Sequence, residues 1–158
     1  GVPTNRRLAL RARHFNGKLY LRLTETGLDR KLSARPHLWD GDEWEIMLGR
    51  KQFGEPYLQI LADCAGKKQF LLQIPQADGK DKPEGRHTGN IEVSSEEKNN
   101  VWTLDVTVPL SEIPGKGDVL YGNFFRSSNG AELAQCWNPT FEKQFPNRKA
   151  FGKIILEK

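Results

Sequence analysis

The chain has 158 residues, 37% hydrophobic and 28% charged, with a formal net charge of +4. That length supports one domain, residues 1–158, with a single core, and no run approaches the roughly 20 apolar residues of a membrane-spanning helix. The basic residues are scattered, the densest runs being Arg11 to Arg13 and Lys80 to Lys82, whereas a nucleic-acid binder gathers them on one face, so no nucleic-acid partner is expected.

Arg7 to Phe15 alternates apolar and polar residues, Asn16-Gly17 is a two-residue turn, and Lys18 to Thr24 alternates again with Leu19, Leu21 and Leu23 on one side. Alternation flanking an Asn-Gly pair predicts a β-hairpin. A polar connection, 27–36, leads to His37–Leu48, HLWDGDEWEIML. From Trp44 the period is two, with Trp44, Ile46 and Leu48 on the core side and Glu45 and Met47 on the other. Strands are predicted next at Tyr57–Asp63 and Gln69–Ile74. Residues 75–90, rich in Gly, Pro, Asp and Lys without periodicity, are expected to be a loop.

Ile91–Ser95 and Val101–Val108 form a further predicted pair, the second with Trp102, Leu104, Val106 and Val108 on one face. Pro109 to Ile113 suits one short helical turn. Strands at Leu120–Ser127, Leu133–Trp137 and Phe151–Leu156 close the chain. About ten short strands with turn signals every 8–12 residues predict an all-β fold, an antiparallel β-sandwich of jelly-roll type in two sheets.

Catalytic constellations are lacking: there is no GxSxG, HExxH, P-loop or GxGxxG. Glycoside hydrolysis needs two opposed carboxyl groups, and Glu45 has no partner that the sequence can place, so no enzyme activity is expected. His14, His37 and His87 stand at unrelated positions and suit surface residues. The cysteines, Cys64 and Cys136, form no CxxC motif. A disulfide between them would contribute about 2–4 kcal/mol, and two free thiols are the other reading. Met47 could ligate haem with a His or Lys facing it, or simply fill a gap in packing.

The remaining candidates are aromatic and acidic. Trp39 precedes a strand that carries Glu45 on its non-core face. An aromatic ring beside a fixed carboxylate is what a sugar needs, its C–H face on the ring and its hydroxyls on the acid; a rim Trp39 and a solvated Glu45 are the plainer alternative. Downstream, Trp137-Asn138-Pro139-Thr140 is followed by Phe141 and Phe145-Pro146. Large rings in a loop are candidates for a binding rim.

Four segments in this order resemble the family 9 carbohydrate-binding modules, within the wider group of DOMON-like sandwiches: LALRARHFNGKLYLRLTET, HLWDGDEWEIML, VWTLDVTVPLSEI with YGNFFRS, and CWNPTFEKQFPNRKAFGKIIL. They cover most of the chain from Leu8 to Leu156, although the segment that usually precedes the family's hairpin is absent or reduced to 1–5. The resemblance implies a non-catalytic module that grips a glycan end between two rings. Trp39 matches one stacking ring and Phe145, or Phe141 in another register, the second. Glu45 and Asp63 match hydroxyl-binding positions, and Phe125 falls where the family has a glutamine. Arg126 matches a common arginine that either reaches ligand or braces the fold, and Trp137 is rim or core. No cofactor is implied, although some relatives carry structural calcium, for which the acids of WDGDE are the candidates.

The expected partners are oligo- or polysaccharides and enzyme or surface-protein domains of a longer parent chain, in an extracellular or periplasmic location. A b-type haem electron-transfer domain and a sandwich used only for protein contacts are the rival readings.

Overall fold

A computed structural model describes residues 6–77, 81–86, 89–128, 133–140 and 147–157. Eleven strands are described: β1 (Arg7–Phe15), β2 (Lys18–Thr26), β3 (Glu43–Gly49), β4 (Tyr57–Asp63), β5 (Lys68–Pro75), β6 (Asp81–Arg86), β7 (Glu92–Lys98), β8 (Val101–Pro109), β9 (Val119–Ser128), β10 (Leu133–Cys136) and β11 (Gly152–Ile155). They form a four-stranded sheet in the order β1-β2-β8-β7 and a seven-stranded sheet in the order β10-β9-β3-β4-β5-β6, with β11 also pairing β9. All the pairings are antiparallel. The expected sandwich is therefore observed.

The hairpin β1–β2 turns on Asn16 and Gly17, both at positive φ (47° and 71°), the backbone that a two-residue turn demands. Asn99 and Asn100, at φ 53° and 59°, do the same between β7 and β8. The core lies between the sheets. Leu19, Leu21 and Leu23 of β2 and Trp102, Leu104, Val106 and Val108 of β8 face Trp44, Ile46 and Leu48 of β3, Leu58 and Ile60 of β4 and Phe124 of β9. Trp44 and Trp102 meet across this layer with ring centroids 6.1 Å apart, a contact worth about 0.5–1.5 kcal/mol beyond the area buried.

The sequence-based expectation of a loop across 75–90 is corrected by β6, which pairs β5 between Asp81 and Arg86. Its residues, DKPEGR, carry no apolar alternation because the strand lies at the sheet edge, where the ladder to β5 and polar contacts at Asp81 hold it without an apolar face. An edge is also where a strand accommodates Pro83, which has no N–H to offer. The ladder shifts register between Leu71 and Gln73, a bulge of the kind common at edges. Three 3-10 turns are described, at Leu38–Asp40, Leu110–Glu112 and Arg148–Ala150. Cys64 and Cys136 are free thiols.

Candidate functional site

The outer face of the larger sheet carries the chemistry. Period-two alternation sends Glu43, Glu45 and Met47 of β3, Tyr57, Gln59, Leu61 and Asp63 of β4, and Leu71 and Gln73 of β5 away from the core. At its centre Gln59 Nε2 donates to Glu45 Oε1 at 2.6 Å, and Gln73 Nε2 donates to Gln59 Oε1. A polar line thus crosses three strands. It is flanked by two apolar clusters, Leu38 with Leu61 and Leu71, and Met47 with Tyr57, Phe125 and Phe151.

The first cluster positions Trp39. Leu38 is 3% exposed and packs on Leu61, which stands directly opposite Glu45 in the β3–β4 ladder. This pins the turn Leu38–Asp40 on the face that holds Glu45, while the next residue, Trp39, leaves 48% of its surface in solvent. Glu45 itself is only 7% exposed. Burial pushes its carboxyl up to about 7, against the opposing hydrogen bond from Gln59. Glu43, two residues earlier on the same face, is pushed up to about 8 by burial and then by the charge of Glu45.

The other end of this face is bolted to the chain near the C-terminus. Asn123 Nδ2 donates to the carbonyls of Asn138 (2.8 Å) and Ala150 (3.2 Å), and its Oδ1 accepts from Asn138 N at 3.0 Å. The Arg148 guanidinium lies 5.1 Å over the Tyr57 ring and donates to the Glu55 carbonyl at 2.6 Å. Tyr57 in turn donates to Asp81 Oδ2 at 3.2 Å. Thr140 and Asn147, joined by a 3.5 Å bond from Asn147 Nδ2 to the Thr140 carbonyl, flank the segment that contains Phe141 and Phe145. Both phenylalanines lie outside the described residues.

Of the predicted site residues, then, Trp39 and Glu45 share one face. Asp63 is on it too, directly opposite Glu43, but its Oδ1 is occupied by the turn that follows, accepting from Ala65 N (3.0 Å) and Lys67 N (2.8 Å). Arg126 points the other way, between the sheets. Its Nε donates to Glu25 at 2.7 Å, its Nη2 to Asp42 at 2.8 Å, and its guanidinium stacks 4.7 Å over Trp102. Trp137 is also away from the Glu45 face. Its ring meets Phe124 edge-on at 5.7 Å and lies so close to Gly152 that an added Cβ there would fall 2.4 Å from Cζ3. The ring is 47% exposed and rims an apolar cleft of about 180 Å³ at the sandwich edge.

The acids of WDGDE do not fit a calcium ion at Asp42. Oδ2 accepts from Arg30 (2.7 Å) and Ser33 N (2.7 Å), and Oδ1 from Arg30 (2.9 Å) and Arg126 (2.8 Å). Burial pushes that carboxyl up, but the bonds from Arg30 and Arg126 outweigh it and hold the pKa below the ordinary value. Among the described residues, no group of three or more His, Cys, Asp and Glu gathers to hold a metal. Met47 is fully buried against aromatic rings, so its thioether does not face an open cleft. His37 is exposed, His14 Nε2 pairs with the Glu157 carbonyl, and His87 lies outside the described residues.

Sequence reasoning missed Gln59, Gln73 and Glu43. The signal was present: Gln59 has the parity of Asp63 in YLQILAD, as Glu43 has that of Glu45. Nothing in the sequence marked Tyr57, Asn123 and Arg148 as the anchors of the opposite end.

Comparison with solved structures locates the architecture. A family 9 carbohydrate-binding module from Caldicellulosiruptor kristjanssonii, in complex with glucose, superposes with a TM-score of 0.72 over 99% of this chain and 79% of its own, at 14% identity. The cellotriose complex of such a module from the same organism gives 0.73, with 99% and 77% coverage and 14% identity. The fold is that of the family 9 modules. A Bacteroides uniformis protein, named provisionally as carbohydrate-binding, matches equally well, with a TM-score of 0.72, 16% identity, and coverage of 96% of this chain and 79% of that one. No protein-family model matches the chain, and no curated protein matches it in sequence. The likeness therefore lies in the fold, conserved well beyond the reach of sequence similarity.

Proposed function

We propose that the chain is a non-catalytic carbohydrate-binding module whose site is the outer face of the larger sheet. The carrying observation is that Leu38 seats the turn bearing the exposed Trp39 on the sheet face that holds the Glu45–Gln59–Gln73 line. A pyranose laid on Trp39 buries its C–H face on the ring. Its hydroxyls then meet a row of carboxyl and amide groups already oriented by one another, so little side-chain freedom is lost on binding. Phe145 is the proposed second ring, in a segment whose ends are tied to this face. Two structural neighbours hold glucose and cellotriose, which supports a neutral glucan or its chain end as ligand.

The acids are arranged for binding rather than hydrolysis. Glu43 and Glu45 lie side by side on one strand, not across a cleft from each other as glycoside cleavage requires. In this reading the module holds a parent enzyme or surface protein on polysaccharide outside the cytoplasm.

The test is a tryptophan-fluorescence titration with glucose, cellotriose and other soluble neutral oligosaccharides, repeated on Trp39→Ala. A saturable change that disappears in the variant, with an unchanged circular-dichroism spectrum, supports the site. Equal binding by both proteins would move the site elsewhere, and no response to any sugar would favour the contact-domain reading.

A further inference from the structure

We infer that the outer face of the smaller sheet is a second glycan site, selective for an acidic oligosaccharide. The sequence scatters its basic residues, but strand pairing collects them. Arg11 of β1 stands directly opposite Arg22 of β2, and Arg22 directly opposite Asp105 of β8. On the next rung of the same face, Arg13 stands opposite Tyr20 and Tyr20 opposite Thr107. These six side chains line an open trough of about 560 Å³.

Like charges directly opposite each other on a sheet are destabilising, so Arg11 against Arg22 is a costly rung for a face with only a structural task. Asp105 offsets one of the two charges, taking a bidentate bond from Arg22 at 2.7 and 2.8 Å. Arg11 and Arg13 have no carboxylate partner among the described residues. The Arg13 guanidinium instead lies 5.2 Å from the centre of the Tyr20 ring, a cation–π contact that uses none of its N–H donors on a carboxylate, so the fork can receive a planar anion. Residues two apart on a strand are separated by about 7 Å, so Arg11 and Arg13 suit two separate carboxylates rather than one.

The trough also contains acceptors. Asp105, which keeps a lone pair on each oxygen beyond its bonds from Arg22, and the Thr107 hydroxyl lie among the arginines and can accept donors from the ligand. A uronic-acid chain supplies both carboxylates and hydroxyl donors. A DNA backbone presents contiguous phosphates with no donor for Asp105, an RNA backbone adds a single 2′-hydroxyl per nucleotide, and the bases of either would find one ring, Tyr20, already covered by Arg13. The occupant is thus a carboxylated glycan, and the site is independent of the Trp39 face.

Isothermal titration at low salt with tetragalacturonate, cellotetraose, poly-L-glutamate and oligo-thymidylate tests this. Tetragalacturonate is expected to bind, to weaken as salt screens the arginines, and to lose about tenfold in affinity in Arg11→Ser/Arg13→Ser because two charge-assisted forks are gone. Arg11→Lys/Arg13→Lys retains the charge, so folding is not at issue, and is expected to lose several-fold because the fork geometry is lost. Trp39→Ala should leave tetragalacturonate binding intact, and the arginine variants should leave any cellotetraose response intact, so either site can fail alone. Tetragalacturonate binding that is lost in Trp39→Ala, or that survives the arginine substitutions, would overturn the inference. So would binding of poly-L-glutamate or oligo-thymidylate as tight as that of the acidic sugar.

Discussion

At the scale of single residues, the outer face of the larger sheet is distinguished by acids held out of water. Glu43 is raised from 4.5 to about 8 and Glu45 to about 7 by burial. A carboxyl whose folded pKa exceeds its unfolded value takes up a proton on folding throughout the interval between the two. Stability therefore falls as pH rises from about 4.5 to about 8, and it levels off above that. Urea denaturation at intervals between pH 5 and pH 8 should show this slope, and Glu43→Gln should flatten it; an unchanged slope would mean that Glu43 remains ionised. Asp42 acts with the opposite sign and in another window. Its lowered pKa gives stability that is present above the ordinary carboxylate range and lost as pH falls through the folded value. Deprotonation of Glu45 also sharpens its acceptor character toward Gln59 and toward any sugar hydroxyl, so the fluorescence response to sugar should strengthen from pH 6 to pH 8.

At the scale of elements, three short devices place the site. The turn Leu38–Asp40 depends on Leu38 for its seat. Leu38→Ala should cost about 2–5 kcal/mol by thermal melting and weaken sugar binding nearly as much as Trp39→Ala, although Leu38 need touch no sugar. Retained binding would mean that Trp39 is positioned by something else. The turn after β4 depends on Asp63, which accepts two backbone N–H bonds. Asp63→Ala should cost about 1–3 kcal/mol, with any loss of sugar affinity following from the loosened turn. The third device is Asn123, whose amide fixes Asn138 and Ala150 over the sheet. The legibility of these elements from sequence was uneven. The β1–β2 hairpin and β8 followed from alternation, since one buried face imposes period two, and β3 kept that period although both of its faces are buried. β6 was missed because an edge strand held by its ladder and by polar contacts at Asp81 needs no apolar residues.

At the scale of the whole molecule, the two sheets are joined by more than apolar contact. Arg126 of β9 reaches Glu25 of β2, and both Arg126 and Arg30 reach Asp42; Arg6 makes a further 3.2 Å contact with Glu25. Removing one member of a buried ion pair costs about 3–5 kcal/mol because the partner charges stay buried. Arg126→Met should fall at the low end, since Glu25 keeps Arg6 and Asp42 keeps Arg30. Urea denaturation with an unchanged m-value would check this, and a loss below about 1 kcal/mol would place the network among weak surface pairs. Sugar binding should survive under native conditions, because Arg126 projects to the side of the sheet away from Glu45.

Sequence by itself determined the all-β class, most of the strands, and the side of β3 on which Glu45 stands, because these follow from a period that each strand carries within itself. It also placed Trp39 in the turn before that strand. Only the tertiary structure decided which neighbours each side chain meets. Glu45 is buried beside Gln59 and Gln73 because β4 and β5 lie next to β3 in that register. Arg126 is a brace because Glu25 and Asp42, remote in sequence, reach it between the sheets, and Trp137 rims the sandwich edge because Gly152 leaves room for its ring. Such juxtapositions arise from the pairing of distant strands, which no local period encodes.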